Sequence, residues 1–369
     1  MPFAAALVAV SVLATSLRIR HLTSVGFGSD EAVYARQGDA LLASTADAAT
    51  AWPGVRAHPP LLGLLLSGLP GRFDGDLTPR LLVVGLGVLT VVLTGLLGRR
   101  VGGPTAGLLA AGVLAVDPYH VDVTRQVLVD VPMAACVTAG LLAAASWLDA
   151  PSRRALVTAA ACLGVATLFK ETAALSAVAV LLVAAGVPRS RPAPGRAWAL
   201  AAYAAVAGLY PVLLLVHGGR QRAAEYVGWQ VARPSNADGW FYLTTVLPRV
   251  SALVVAAAAV GAIGAHRLAA PQRRLLVLAV VVPSAFYVLW PTKGYPYLTA
   301  VVPPLAVLAG TGLHHLGRAW VDRVTRRDLT APTAGRRLLR SGRAAALVGA
   351  VLVAVPATAR SAPPPVAGA

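Results

Sequence analysis

The sequence predicts an all-α polytopic membrane protein, and three observations lead to that prediction. Hydrophobic residues make up 57% of the chain, charged residues only 13%, and the mean hydropathy is +0.69. A soluble domain carries about 25% charged residues. Apolar runs recur along the chain at lengths near the ~20 residues that a membrane helix needs. We therefore expect a bundle of about 10 to 11 transmembrane helices with an interfacial helix in one external loop.

Eleven apolar runs are candidate spans. In chain order they are residues 3–17, 81–98, 104–116, 131–148, 155–169, 172–187, 197–216, 242–264, 275–290, 297–316 and 344–358. The fifth and sixth runs meet at Lys170 and Glu171, and together they are too long for one ordinary span. We therefore expect two helices joined by a charged external turn.

The positive-inside rule predicts the orientation of the bundle. With a cytoplasmic N-terminus, the internal loops hold 18 of the 32 basic residues and only 3 of the 15 acidic residues. This distribution favours a cell-membrane protein whose N-terminus is cytoplasmic and whose carboxylates lie mostly on the extracytoplasmic side.

The net charge of +17 does not indicate a nucleic-acid partner. The arginines are scattered between apolar runs and form no patch with interleaved aromatic residues. We expect no nucleic-acid binding.

Four regions are predicted from these patterns. Residues 1–316 form a transmembrane catalytic bundle, in which residues 18–78 are the first extracytoplasmic loop. Residues 317–343 form a basic cytoplasmic loop, residues 344–358 a last transmembrane segment, and residues 359–369 a disordered tail. Within the first loop, residues 61–69 are too short to span and rich in leucine, which is typical of a helix lying in the membrane interface.

The adjacent carboxylates Asp30 and Glu31 lie on this first external loop. On a helix, neighbouring side chains point about 100° apart, so one can face a cavity while the other pairs with a cation or a backbone donor. The cavity-facing acid could act as a general base toward a hydroxyl. Asp30 also follows Gly28 and Ser29, so it could instead cap the helix that begins near Glu31. The pair has no nearby third oxygen ligand that would favour a metal site.

A second polar stretch, residues 117–134, contains Arg125 and Asp130 at a spacing that permits only loose pairing. Asp130 precedes a proline and is typical of a helix start. His120 with its neighbouring aspartates forms only a weak candidate for metal ligation. Further on, Lys293 could hold a phosphate or could be an interfacial lysine beside Tyr295.

The order of five motifs resembles a known superfamily. They are SDEAVYARQGDALL, HPPLLGLLL, PRLLVVGLGVLTVVLTGLLGRRVGG, RQVLVDVPMA and, more loosely, KGYPYLTAVVPPLAVLAG. This order resembles the polyprenyl-phosphate-sugar-dependent glycosyltransferases of the protein O-mannosyltransferase and aminoarabinose-transferase superfamily. The resemblance covers residues 1–187 well and implies a glycosyltransferase C fold.

The resemblance implies roles for individual residues. Asp30 matches the carboxylate that serves in the family as catalytic base or acceptor-positioning group, and Glu31 matches its partner. Asp130 matches a second acidic residue near the active site. Positions near the donor phosphate are matched by His58, Arg125 and Lys293, and Tyr34 and Tyr295 are expected to line the substrate cavity. No cofactor is certain, and a divalent metal is possible.

The implied activity is transfer of mannose, another hexose or arabinose from a polyprenyl-phosphate donor to an external hydroxyl, with inversion. The acceptor could be a protein, a lipid or a glycan, and membrane lipid surrounds the bundle. The chain is short for this superfamily, which puts acceptor recognition in doubt. Two alternatives stay open: a transporter or flippase of lipid-linked intermediates, and a non-catalytic membrane scaffold.

Overall fold

A computed structural model describes residues 2–35, 59–69, 75–187, 195–264 and 270–327. Its helices are α1 (Phe3–Ile19), α2 (Leu61–Ser67), α3 (Leu77–Val116), α4 (Pro118–Val123), α5 (Asp130–Asp149), α6 (Arg153–Phe169), α7 (Ala174–Ala185), α8 (Arg196–Ala207), α9 (Leu209–Val231), α10 (Ala252–Gly264), α11 (Ala270–Leu289) and α12 (Val302–Arg327). Single turns of other helix types cover Glu171–Ala173, Tyr242–Val246 and Tyr295–Leu298. Residues 29–35 are also helical, and none of the described ranges contains a β-strand.

Several helices are long and apolar enough to cross a membrane. Three of them, α3, α5 and α11, meet this criterion alone, and α8 with the first part of α9 meets it only as a pair bent by 41°. Shorter apolar helices cover Phe3–Ile19, Glu171–Ala185 and Val254–Ile263. The multi-pass helical architecture that the sequence predicts is therefore confirmed.

Two predicted boundaries differ from the structure. The run 242–264 is not one helix, because a π-helical turn precedes α10, which begins only at residue 252. The loop predicted from residue 317 starts as helix, because α12 continues to Arg327. No glycine or proline interrupts residues 318–327, so nothing local stops this helix where its apolar run ends. The last span and the tail lie outside the described residues.

The helix α3 is a hairpin of two halves rather than one rod. Gly103 has φ 87° and ψ 174°, which only glycine adopts readily, and Pro104 begins the second half. Where glycines of the two halves face each other, the backbones approach too closely for a side chain. A Cβ on Gly107 would lie 2.5 Å from the carbonyl oxygen of Gly95 and 2.6 Å from the amide nitrogen of Arg99. This accounts for the two separate runs expected at 81–98 and 104–116.

The α3 hairpin lies at the centre of the bundle. It packs against α1, α5 and α12, and α12 in turn packs against α10. On the other flank, α6 lies between α5 and α8, and α7 packs against α11. The buried leucines, valines and alanines of these helices form one continuous core.

Side-chain contacts identify one end of the bundle as basic. Arg99 lies over the ring of Phe3 at 4.7 Å, and Asp149 accepts hydrogen bonds from Arg100 and Gln272. We call this the basic end. The charged residues here whose burial the structure describes are nine arginines and two aspartates: Arg99, Arg100, Arg153, Arg154, Arg196, Arg273, Arg274, Arg318 and Arg323, with Asp149 and Asp322.

The opposite end, here the acid-rich end, holds the remaining described carboxylates. They are Asp30, Glu31, Asp76, Asp117, Asp122, Asp130, Glu171, Glu225 and Asp238. The fold thus gathers these acids, which are spread over most of the sequence, at one end of one helical bundle.

The α3 hairpin yields a stability prediction. Gly107→Ala should destabilise the protein by about 1–3 kcal/mol, because the new methyl group has to displace backbone atoms. Gly112→Ala is the matched control: a Cβ there meets nothing within 4 Å. Removing glycine from that helix interior should stabilise by about 0.5–1 kcal/mol. Thermal unfolding of the purified variants in detergent measures both, and equal melting temperatures would contradict the tight hairpin.

Candidate functional site

The helix at residues 29–35 begins with a capping contact that Glu31 makes. Its Oε2 accepts a hydrogen bond from the amide of Gly28 at 2.9 Å, so the third helical residue reaches back to the residue before the helix. Glu31 is only 4% exposed. It also accepts from Nε and Nη2 of Arg80 at 3.0 and 2.8 Å, and from the amide of Val127 at 2.8 Å. Four hydrogen bonds therefore occupy this carboxylate.

This geometry separates the roles of the two adjacent acids. Asp30 is exposed, and among the described residues nothing donates a hydrogen bond to its carboxylate. The predicted alternative that Asp30 caps the helix is wrong, because Glu31 makes the capping contact. For Glu31 the geometry supports a positioning role rather than the predicted catalytic one. Asp30 is left as the carboxylate that can reach a substrate.

Arg80 also fixes the loop that leads to Asp30. Its Nη1 donates to the carbonyls of Leu22 and Val25 at 2.8 and 2.7 Å, and its Nη2 donates to that of Gly26 at 3.0 Å. The guanidinium is 4% exposed and comes from the first turn of α3. One side chain therefore holds both the loop and the carboxylate beside the free acid.

Arg125 secures the start of the same loop. Its Nη2 donates to the carbonyls of Arg20 and His21 at 2.6 and 2.9 Å. His21 has φ 52°, the one positive φ outside glycine in the described ranges. The pairing of Arg125 with Asp130 that spacing allowed does not occur. Arg125 thus serves the backbone of the loop, and its geometry does not support the predicted phosphate contact.

Asp130 instead forms a buried ion pair with Lys170. Lys170 Nζ lies 2.7 Å from Asp130 Oδ1, and the two residues are each 2% exposed. Lys170 ends α6 in an extended conformation, which directs its side chain away from the helix axis and toward α5. Its ammonium also lies 4.2 Å from the ring centroid of Tyr297. The residue expected in a charged external turn is therefore a buried part of the site.

Tyr34 is a buried tyrosine four residues after the exposed acid Asp30. It is 6% exposed and comes from the same helical turn as Asp30. Burial raises the pKa of Tyr34 well above its ordinary value, and the negative charges of Asp130 and then Asp30 raise it further. The hydroxyl of Tyr34 therefore stays protonated as a neutral group.

Arg233 brings a cation from the segment after α9 to the same place. Its guanidinium carbon lies 4.0 Å from the ring of Trp229, and Nη2 donates to the side chain of Gln230 at 2.7 Å. Nη1 lies 3.4 Å from the hydroxyl of Tyr297, the ring over which Lys170 sits. Gln230 also donates to Glu171 at 3.0 Å. Arg233 and Lys170 therefore contact the same tyrosine, Tyr297, and Lys170 pairs with Asp130.

Lys293 has no free donor at its ammonium. Nζ donates to the carbonyls of Tyr287, Val288 and Trp290 at 3.0, 2.6 and 2.6 Å, and the residue is 7% exposed. These carbonyls belong to the end of α11, which lacks further helix to bond them. Because three carbonyls use the three N–H groups, the geometry does not support the predicted phosphate role of Lys293.

Tyr295 lies beside the site in the turn before α12. Its ring packs edge-on against Tyr119 with centroids 5.0 Å apart, and its carbonyl accepts from the hydroxyl of Tyr119 at 2.8 Å. The Tyr295 hydroxyl is buried and has no hydrogen-bond partner among the described residues. Burial and then the charge of Asp122 raise the pKa of Tyr295, while the nearby Arg249 opposes that rise.

A buried polar cluster lies behind the loop. Arg18 is fully buried and donates to Thr124 at 2.8 Å and to Nδ1 of His120 at 2.7 Å. The amide of His120 donates to Asp117 at 2.8 Å, and burial raises the pKa of Asp117 to about 7. These contacts tie α1 to α4, while Asp117 Oδ2 and His120 Nε2 are buried without a hydrogen-bond partner among the described residues.

The described residues contain no group of three or more histidines, cysteines or carboxylates placed to hold a metal ion. His58, which was predicted near the donor phosphate, lies outside the described residues.

Sequence reasoning missed Arg80, Lys170 and Arg233. A signal was present for Lys170, because the chain has 30 arginines but only two lysines, and both lysines are buried at the acid-rich end. Arg80 carried a weaker signal as a charge at the start of an apolar run. Arg233 is one of three arginines within residues 218–241, and nothing in the sequence distinguishes it from the other two.

Comparison with known proteins supports the predicted resemblance. The family described as dolichyl-phosphate-mannose-protein mannosyltransferase matches residues 57–215, which is less than half of the chain. No curated protein sequence gives a significant match.

Solved structures share the fold over nearly the whole chain. ArnT from Cupriavidus metallidurans in the apo state has a TM-score of 0.68 at 18% identity, covering 97% of this chain and 74% of ArnT. The same protein bound to undecaprenyl phosphate gives 0.67 at 18%, covering 97% and 72%. The oligosaccharyltransferase AglB from Archaeoglobus fulgidus, in complex with an inhibitory peptide and a dolichol-phosphate, gives 0.61 at 14%, covering 98% and 56%. The predicted glycosyltransferase C fold is confirmed.

The Glu31–Arg80 contact yields a second stability prediction. Arg80→Leu should lower the free energy of unfolding by about 3–5 kcal/mol, because it leaves a buried carboxylate unpaired. The matched control is Asp76→Asn, since Asp76 is partly exposed and lies 3.9 Å from the same guanidinium. That loose pair should contribute under about 1 kcal/mol.

Melting temperatures of the purified proteins in detergent report both changes. In the double variant Arg80→Leu/Glu31→Gln no buried charge is left unpaired, so part of the lost stability should return. A double variant less stable than Arg80→Leu alone would show that the pair does not account for the effect.

Proposed function

We propose that this chain, which has the fold of ArnT, is an integral-membrane inverting glycosyltransferase. It moves a sugar from a polyprenyl-phosphate donor to a hydroxyl acceptor, and Asp30 is its catalytic base. The proposal is supported by the family match over residues 57–215 and by structures of this fold that hold undecaprenyl phosphate or a dolichol-phosphate.

One observation carries the proposal: of two adjacent carboxylates, one is fixed and the other is left exposed. Glu31 is buried and accepts four hydrogen bonds, so it cannot take up a proton without losing them. Asp30 shares its helical turn but is exposed. A general base needs a free lone pair within reach of the acceptor hydroxyl and a fixed backbone. This arrangement supplies both.

The reaction follows from these positions. Asp30 removes the proton from the acceptor hydroxyl while the acceptor oxygen attacks the anomeric carbon of the donor sugar. The bond between that carbon and the phosphate oxygen breaks, and the configuration at carbon inverts. The polyprenyl phosphate leaves with the bonding electron pair. No nucleotide takes part.

Charge on the leaving phosphate needs a cation, and Arg233 is our candidate because its guanidinium lies beside Tyr297, the ring that Lys170 contacts. Guanidinium binds phosphate oxygens in two parallel hydrogen bonds. Lys170 is neutralised by Asp130, so its role is to hold that carboxylate and the ring of Tyr297 in place. Tyr34 and Tyr295 then provide neutral hydroxyls for the sugar.

The charge distribution supports an orientation for the enzyme. Since basic residues favour the cytoplasmic side, the basic end faces the cytoplasm and the acid-rich end faces outward. The N-terminus is then cytoplasmic and the active site extracytoplasmic, in the cell membrane. A protein, lipid or glycan hydroxyl on that side is the acceptor, and mannose, another hexose or arabinose is the sugar.

Asp30→Asn tests the proposed base. Purified protein is incubated with polyprenyl-phosphate sugars and candidate hydroxyl acceptors, and the released polyprenyl phosphate is measured. The variant should lose about 10²–10⁴-fold in turnover, which is the usual contribution of a general base. Glu225→Gln, which changes an exposed carboxylate at the same end, should keep the wild-type rate.

Two results would count against the proposal. Full turnover by Asp30→Asn would remove Asp30 as the base. A wild-type protein that moves lipid-linked sugars across vesicle membranes but releases no polyprenyl phosphate would instead support the transporter alternative, and inactivity in both assays would favour a scaffold.

Arg233 and Lys293 are distinguished by lipid binding. Arg233→Gln should weaken the binding of polyprenyl phosphate by about tenfold or more, because a charged hydrogen bond contributes about 1.5–3 kcal/mol. Lys293→Gln should retain that affinity but lower the melting temperature, since it uncovers three helix-end carbonyls. Titration with the lipid followed by melting curves measures both, and weaker binding in Lys293→Gln with an unchanged melting temperature would reverse the assignment.

A further inference from the structure

An arginine and a tryptophan form a stacked pair at the basic end. The guanidinium carbon of Arg153 lies 4.0 Å from the ring centroid of Trp198, and Trp198 is 57% exposed. Arg154 is also exposed and follows directly in the chain. We call these three residues the Arg–Trp patch. No acidic side chain pairs with either arginine among the described residues.

The backbone around the Arg–Trp patch is held closely. Gly195 precedes α8 with φ 91°, and a Cβ there would lie 2.9 Å from the Cα of Arg153. The next residue, Arg196, donates from Nη2 to the carbonyls of Ala184 and Val187 at 2.8 and 3.3 Å. The start of α6, the start of α8 and the end of α7 are thus joined. The backbone that carries Arg153 and Trp198 is therefore held in one arrangement.

The position of the patch along the helices sets its depth. Arg153 is the first residue of α6, and Trp198 is the third residue of α8. α8 and the first part of α9 are together long and apolar enough to cross a membrane, with a 41° bend between them, and α6 packs along α8. Residues in the first turn of a spanning helix lie at the level of the lipid headgroups, where tryptophan and arginine are favoured.

The surrounding charges are suited to an anion. The described residues of the basic end include nine arginines and two aspartates, and one of these, Asp149, is occupied by Arg100 and Gln272. A guanidinium can form two parallel hydrogen bonds to a phosphate, and an indole packs against the glycerol region of a lipid.

We propose that the Arg–Trp patch binds the headgroup of an anionic diacyl phospholipid, with Arg153 and Arg154 on the phosphate and Trp198 against the glycerol. This site lies at the opposite end of the bundle from the acids described above, and the proposal does not depend on the catalytic function.

Native mass spectrometry of the full chain, released from a neutral detergent, tests the site. Phosphatidylglycerol is titrated against phosphatidylcholine, and bound lipid is counted for each protein. The double variant Arg153→Gln/Arg154→Gln should lose about tenfold or more in phosphatidylglycerol affinity, because the charged hydrogen bonds from the two guanidinium groups to the phosphate are lost. Its phosphatidylcholine binding should not change.

The matched control is Arg318→Gln/Arg323→Gln, which removes the same charge from exposed positions of α12 at the same end. It should stay within about twofold of the wild type, because the proposed contact is local and not a property of net charge. Equal losses in the two double variants would overturn the proposal, as would equal affinity of the wild type for both lipids. Displacement of phosphatidylglycerol by millimolar inorganic phosphate would identify a free-phosphate site instead.

The single variant Arg154→Gln controls for misfolding, because Arg154 has no hydrogen bond or ion pair from its side chain among the described residues. It should keep the wild-type melting temperature and still lose part of the phosphatidylglycerol affinity. A single variant with unchanged affinity would remove Arg154 from the site.

Discussion

The buried carboxylate of Glu31 is the constraint on which the arrangement of the acid-rich end depends. A charge removed from water has to be paired and fully hydrogen-bonded, or its burial is prohibitive. Arg80 provides the opposite charge, and the amides of Gly28 and Val127 provide the remaining donors. Since Val127 lies just before Asp130, this single carboxylate positions both acid-bearing segments relative to each other.

Burial also distinguishes the paired carboxylates of the site from the exposed one. Asp130 is neutralised by Lys170, and Glu31 by Arg80. Each pair joins segments far apart in the chain, so each carboxylate stabilises the fold and is unavailable to a substrate. Asp30 differs because its side chain faces outward on the same turn. The free acid thus owes its fixed position to its neighbour, which is why Asp30 and Glu31 have to be considered together.

Backbone carbonyls accept the hydrogen bonds of two cations, Lys293 and Arg125, that the sequence predicts near the donor phosphate. Lys293 closes the end of α11, and Arg125 holds the loop carbonyls after α1. A carbonyl is present at every residue and leaves no trace in the side-chain sequence. Only the folded path shows which carbonyls lack a helical partner, so pattern reasoning could not predict these contacts.

The sequence by itself determined the class of this protein, the approximate position of most helices and the separation of acidic from basic residues. These features are local or compositional: apolar runs match the bilayer, and charge follows the sidedness of loops. The motif order also led to Asp30 and Asp130. The tertiary structure decided that Glu31 pairs with Arg80, that Lys170 and not Arg125 meets Asp130, and that α3 folds back at Gly103. These outcomes depend on contacts between residues 40 or more positions apart or on backbone close approach, which chain-local spacing does not encode.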